Sequence, residues 1–287
     1  MTVLWGYTFV TIKEAIEHIP PLEFLAVRFL IGAAFLGAVS PKSVPEIRGA
    51  AAKGGLIAGA MLAAGYAFQT LGLKLTSATN AGFLTGLFVV FTPILGALVV
   101  RRLPNAVVSG AVLVAALGLI LLILDSDPAF RGGDVLQVGA ALAFAVHILL
   151  LGHYAPIAGA RPLTISQLAT CGGVCAALTL VFETPILPVT GTVWFAILLT
   201  AIGASSLAFL VMTWAQSLLS PTRAAIIMAA EPVFAGIFGY LLLAERLTPR
   251  GWVGALLILG AILLVEVTGR GDYPPKGLKN EPADSSS

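Results

Sequence analysis

Residues 106–124 read AVVSGAVLVAALGLILLIL, nineteen positions without one charged side chain. A helix rises about 1.5 Å per residue, so a run of this length spans most of the roughly 30 Å of a bilayer's hydrocarbon, where the backbone must satisfy itself. Similar runs lie on both sides of it, at about 1–19, 22–39, 54–73, 80–100, 135–154, 163–183, 193–216, 224–243 and 251–267, separated by short breaks rich in Pro, Gly or charge. The pattern predicts an all-α membrane protein of about ten transmembrane helices. The alternating segments that a membrane β-barrel requires do not occur.

Composition agrees. Of 287 residues, 58% are apolar before the 31 glycines are counted and 10% are charged, against roughly 25% charged in a soluble domain. Such a chain cannot cover a water-exposed surface. The net charge of +2 and the scattered basic residues leave no footprint for nucleic acid. Cys171 and Cys175 share one apolar run and form neither a disulfide framework nor a zinc spacing, so no metal and no cofactor is expected.

Lys and Arg in short loops stay on the cytoplasmic side. With the N-terminus inside, the inner loops and tail carry Lys42, Arg48, Lys53, Arg101, Arg102, Arg161, Arg223, Arg270, Lys276 and Lys279, and the outer loops carry Lys74, Arg131, Arg246 and Arg250. Ten against four predicts both termini in the cytoplasm. The acidic connection from Asp125-Ser126-Asp127 to Asp134 then lies outside. Residues 268–287 have too little apolar content to fold and read as a disordered cytoplasmic tail. In the first segment the purely apolar part is Val3 to Ile12, which is too short to cross. The expectation is a natural start upstream of Met1.

The two halves align at an offset of 144, pairing Leu75 with Leu219, Ala81 with Ala225, Arg102-Leu103 with Arg246-Leu247 and Gly110-Ala111 with Gly254-Ala255. At an offset of 139, Arg28 pairs with Gln167. The chain therefore reads as repeats at 1–124 and 135–267, each of five helices. Five is odd, so the second copy enters the membrane inverted. Inverted repeats suit alternating access, with a substrate near the midplane between the halves.

Trp5-Gly6 with Phe9 and Lys13, then Pro21 and Arg28, resembles the opening of the EamA family in the drug/metabolite transporter superfamily. Thr76 to Leu87, Ala143 to His147, and Glu231-Pro232-Val233-Phe234-Ala235 ending in Glu245-Arg246-Leu247 are similar to later motifs of that family. The resemblance covers about residues 1–267 and implies ten helices and transport of small metabolites, often export.

Polar groups inside apolar runs mark the candidate site, because hydrocarbon penalises them unless they face a partner, a cavity or an interface. Glu231 is a candidate for proton coupling or an ammonium site; structurally, Pro232 frees the carbonyl of Met228 and the acid supports the disturbed helix. Tyr66 and Gln69 share a face of the third helix, and Thr85, Phe88 and Thr92 a face of the fourth. Such faces either line a cavity or join helices. His147 is central in the sixth. Trp5 and Trp214 read as cavity-lining aromatics or as anchors; Trp194 and Trp252 fit the anchor role better. Lys13 and Arg28 could meet an anionic substrate, although such side chains more often snorkel to the interface. Gly55-x-x-x-Gly59 and Gly82-x-x-x-Gly86 are close-packing motifs.

The expected site is a midplane cavity lined by Trp5, Tyr66, Gln69, Thr85, His147, Trp214 and Glu231. It suits an uncharged, zwitterionic or weakly cationic solute better than a polyanion. The expected function is secondary transport, in the export direction, of small organic metabolites such as amino acids, without catalysis, in a cytoplasmic membrane. The expected partners are the small-molecule substrate, the lipid bilayer and a second copy in a homodimer. The alternative is a membrane-embedded enzyme acting on lipid or prenyl substrates.

Overall fold

Pro21 and Pro221 each open a helix, at the one place where a missing backbone N–H costs nothing and a fixed φ is already helical. Serine does the same work by another route. Ser77 Oγ accepts from Asn80 N at 3.0 Å and Ser220 Oγ from Arg223 N at 3.3 Å, each capping a helix start. Between such signals the apolar runs have no alternative to helix, and the computed structural model is helical throughout its regular elements. It describes residues 1–101, 104–125, 132–186, 190–243 and 248–268. Arg102-Leu103, Ser126 to Arg131, Glu245-Arg246-Leu247 and the tail after Thr268 lie outside the described residues, and with them the acidic connection and part of the repeat.

The helices are α1 (Thr2–Ala15), α2 (Pro21–Val39), α3 (Gly49–Leu75), α4 (Ala78–Thr85), α5 (Phe88–Val100), α6 (Ala106–Asp125), α7 (Gly132–Ala158), α8 (Ala160–Phe182), α9 (Gly191–Leu198), α10 (Ala208–Gln216), α11 (Pro221–Met228), α12 (Ala230–Leu243) and α13 (Pro249–Thr268). A π segment, Leu199–Leu207, joins α9 to α10. Among the described residues, eight helical stretches are long and apolar enough to cross a membrane, and no strand forms. The stretch Pro249–Leu264 is apolar but shorter. The protein is a multi-pass membrane protein. Three stretches that read as continuous are composite. Residues 78–100 break at Gly86-Leu87, residues 221–243 break at Ala229, and residues 191–216 contain the π segment.

Small residues set how closely these rods approach. α3 lies on α7 and α8, α2 on α8, α6 on α13 and α1 on α12. Both glycine motifs read from the sequence pack as expected: Gly55 and Gly59 face Ser166, Gln167 and Thr170 of α8, and Gly82 and Gly86 face Ala235 and Pro232 of α12. α6 and α13 meet backbone to backbone. A Cβ on Gly118 would stand 2.6 Å from the Gly254 carbonyl oxygen, and one on Gly254 would stand 2.5 Å from that of Gly118. Leu98, Leu113, Leu180, Leu241, Leu256 and Leu263 are exposed, as a surface turned to lipid rather than water requires.

A candidate substrate chamber at two helix breaks

Glu231 is the second residue of α12, immediately after the break at Ala229, so its carboxylate sits in the first turn of a half-helix. Pro232 explains the break: its ring and missing N–H displace the Met228 carbonyl, and Met228 is where α11 ends. An acid in that first turn complements the positive end of the dipole. The structural account of Glu231 and its exposure to a cavity thus hold together.

Glu231 opens onto a narrow chamber of about 40 Å3, whose wall also includes Trp5, Tyr66, Gln69, Thr85 and His147. Six of the seven residues expected at one cavity surround one cavity. The exception is Trp214, which is 57% exposed on the outer face of α10. The chamber faces of α10 are Phe209 and Met212 instead. Phe88, Phe144, Ile148 and Met228 complete the wall, and a smaller space lined by Trp5, Gln69 and Glu231 continues toward Ile12 and Leu73. Thr85 and Phe88 flank the α4–α5 break, and Met228 and Glu231 flank the α11–α12 break. Thr92 turns its hydroxyl back onto Phe88 O at 2.7 Å and takes no part in the wall.

Aromatic rings fix the wall's shape. Phe209 is the hub, with ring centroids 5.3 Å from Trp5, 6.2 Å from Tyr66 and 5.9 Å from His147. Tyr66 in turn meets Phe144 edge-on at 5.1 Å. Such pairs favour tilted or T-shaped packing over face-to-face stacking. Trp5 is held from behind: its indole N–H donates to Ala204 O at 2.8 Å. Where π spacing gives way to α spacing at Ala208, carbonyls fall out of step with the helical ladder, and Trp5 uses one of them.

Two hydrogen-bond networks hold the polar members. Gln69 Nε2 donates to Thr85 Oγ1 at 3.3 Å, Thr85 donates to Gln137 Oε1 at 3.1 Å, and Gln137 Nε2 donates to Gln69 O at 2.9 Å. This loop ties α3, α4 and α7. On the other side, His147 Nε2 lies 2.7 Å from Gln167 Oε1, while Gln167 Nε2 donates to Thr213 Oγ1 at 3.1 Å. The amide oxygen can only accept, so Nε2 carries the imidazole proton. Gln137, Gln167 and Thr213 are fully buried and were not singled out, although a glutamine inside an apolar run is itself a signal.

Lys13 reaches a helix end, and Arg28 stays inside the bundle. Lys13 Nζ donates to the carbonyls of Leu73 and Thr76, closing the C-terminal end of α3, and Thr76 Oγ1 donates to Asp134 Oδ1 at 2.7 Å. Arg28 is 0% exposed; its Nε donates to Ser205 Oγ at 2.8 Å, and its Cζ lies 4.9 Å from the Phe29 ring and 4.8 Å from the Tyr66 ring. Trp194 and Trp252 are exposed at 41% and 44%, as anchors would be. Among the described residues, no three of His, Cys, Asp and Glu gather as a metal site.

A lipid-facing bundle of broken helices around a small polar-tipped chamber is that of a multi-pass membrane protein. The sequence matches the EamA-like transporter family over residues 1–124 and 131–267, and the chain belongs to that family. It is 34% identical over 267 residues to an "Uncharacterized transporter" of Archaeoglobus fulgidus, covering 93% of this chain and 83% of the relative. It is 24% identical to the "Uncharacterized transporter YoaV" of Bacillus subtilis, covering 92% and 93%. A solved crystal structure of a protein shares the fold at a TM-score of 0.74 and 18% identity, over 93% of this chain and 94% of the other.

Proposed function

We propose that the chain is a secondary active transporter that exports small organic metabolites such as amino acids from the cytoplasm by alternating access. It sits in the cytoplasmic membrane as ten helices in two inverted five-helix repeats, with both termini inside. The observation that carries this reading is that the chamber lies at two helix breaks, one in each half. In transporters of inverted-repeat design the substrate site lies at the midplane between halves, where interrupted helices present half-helix ends to the solute.

The repeat reading gains support from the elements. α4 and α11 are each eight residues long, and the cap Ser220 stands 143 positions after the cap Ser77. Part of the packing mirrors itself as well. The second rod packs on the seventh (α2 on α8) and the fifth on the tenth (α6 on α13), as self-paired helices about a two-fold axis would. The contact of α1 with α12 has its counterpart in that of α7 with α5.

The test is counterflow in proteoliposomes over a panel of amino acids, amines, nucleosides and sugars. Vesicles preloaded with an unlabelled panel member should accumulate its labelled form, and protein-free vesicles should not. If compounds raise the thermal stability of the protein yet none exchanges across the membrane, the protein binds solutes without carrying them and the reading fails.

A further inference from the structure

Arg28 is the most completely buried charge in the described structure, and its burial is only partly compensated. Nε is taken by Ser205, while Nη1 and Nη2 make no hydrogen bond of full geometry, the Tyr66 hydroxyl standing beside the guanidinium. The faces of the guanidinium are covered by the Phe29 and Tyr66 rings, which are attractive for a cation but cannot accept its in-plane N–H groups as an oxygen would. A buried guanidinium with two open donors is costly, because each unmet donor forfeits its solvation. The two open nitrogens form the fork that grips a carboxylate by two parallel hydrogen bonds.

The fork has a route to the chamber. Tyr66 belongs to the chamber wall and Arg28 does not, while the guanidinium carbon lies 4.8 Å from the centre of the Tyr66 ring, so the guanidinium stands one side chain away from the solute space. Ser205 and the π segment hold Arg28 in place behind it. Glu231, on the chamber wall, supplies the complementary charge for a cationic group.

We propose that the solute carried by this protein bears a carboxylate, and that Arg28 takes it through Nη1 and Nη2 once the Tyr66 ring turns aside. Glu231 receives the ammonium of the same molecule. The assignment rests on the transporter reading and narrows its substrate to zwitterions of amino-acid size. Lys13 has no part in it, since its ammonium is spent on the end of α3.

Matched probe sets test it. Each set is an amino acid, the amine left by its decarboxylation and the acid left by its deamination: leucine with 3-methylbutylamine and 4-methylpentanoate, phenylalanine with phenethylamine and 3-phenylpropanoate. Thermal-shift titration of the purified protein should show binding of an amino acid, and Arg28→Gln should weaken it on the order of tenfold or more, as loss of a charge-assisted pair does. The decarboxylated amine should bind more weakly than the amino acid and be unaffected by Arg28→Gln. Arg28→Lys keeps the charge and loses the fork, so it should fold if Arg28→Gln does not and should still bind weakly. Equal binding of amine and amino acid overturns the proposal, as do carboxylate binding unchanged in both Arg28 variants and a panel in which no carboxylate-bearing probe binds. Counterflow separates the two claims: Arg28-dependent binding without flux defeats the transporter reading alone, and flux of amines indifferent to Arg28 defeats this proposal alone.

Discussion

A carboxylic acid at the head of a half-helix in a membrane has to answer two questions, what holds it and what it does. For Glu231 the helix end answers the first. If proton exchange at this acid drives transport, Glu231→Gln preserves shape and insertion while removing the only change of charge available at that position. Flux driven by a pH gradient should be abolished in proteoliposomes, with normal yield and elution on size exclusion; unaltered pH-driven flux would refute the coupling role. Trp214 gives the opposite expectation. Being exposed on the outer face of α10, Trp214→Ala should leave solute affinity within about twofold of wild type, since surface changes away from packed contacts cost little. A binding titration that showed a tenfold loss would return Trp214 to the site. The polar members of the site were legible in the sequence because Tyr66, Gln69, Thr85, His147 and Glu231 interrupt apolar runs, and hydrocarbon forces such groups onto an interior face. Most of the apolar members, Trp5 and Phe88 apart, were not. Phe209 and Met212 look like any lipid-facing residue when a helix is hydrophobic all round, and the same ambiguity misplaced Trp214.

The runs gave the element boundaries to within a few residues, yet the two internal breaks and the π segment left almost no trace. Pro232 marks one break; nothing comparable marks Gly86-Leu87. A π turn changes the angular order of side chains, and in residues 191–216 the polar markers Thr200, Ser205, Ser206, Thr213 and Gln216 are too sparse to reveal one displaced turn. The segment nonetheless positions Ala204 for Trp5 and Ser205 for Arg28, and sets the angle at which α10 presents Phe209 and Met212. Deleting Ile202, within the π segment, should let α spacing resume early and turn α10 by about 100° relative to α9. The expected variant inserts with wild-type helicity by circular dichroism and loses solute binding. A variant that binds normally would show that the segment is a tolerated irregularity.

For the molecule as a whole, orientation in the membrane follows from loop charge, and described loops offer clean reporters. Glu17 and Glu46 are exposed, on connections that the proposed topology puts on opposite sides, and the native Cys171 and Cys175 are buried and give little background. A maleimide that cannot cross the membrane should label Glu17→Cys in intact cells and label Glu46→Cys only after permeabilisation; the reverse pattern would invert the topology. If the protein works by alternating access as proposed, something must stay still, and the close glycine crossing of α6 with α13 suits that part. Gly118 and Gly254 meet backbone to backbone, with Leu121, Leu122 and Ile258 packed around the point of contact. In that reading the crossing would serve as a pivot, with contacts at its axis changing least as the proposed halves turn. Gly118→Ala would press a methyl group onto the Gly254 carbonyl and wedge that bearing, at a cost of about 1–3 kcal/mol in stability. Counterflow should slow severalfold while solute affinity stays near wild type, the signature of a carrier that still holds its cargo but has lost the freedom to turn.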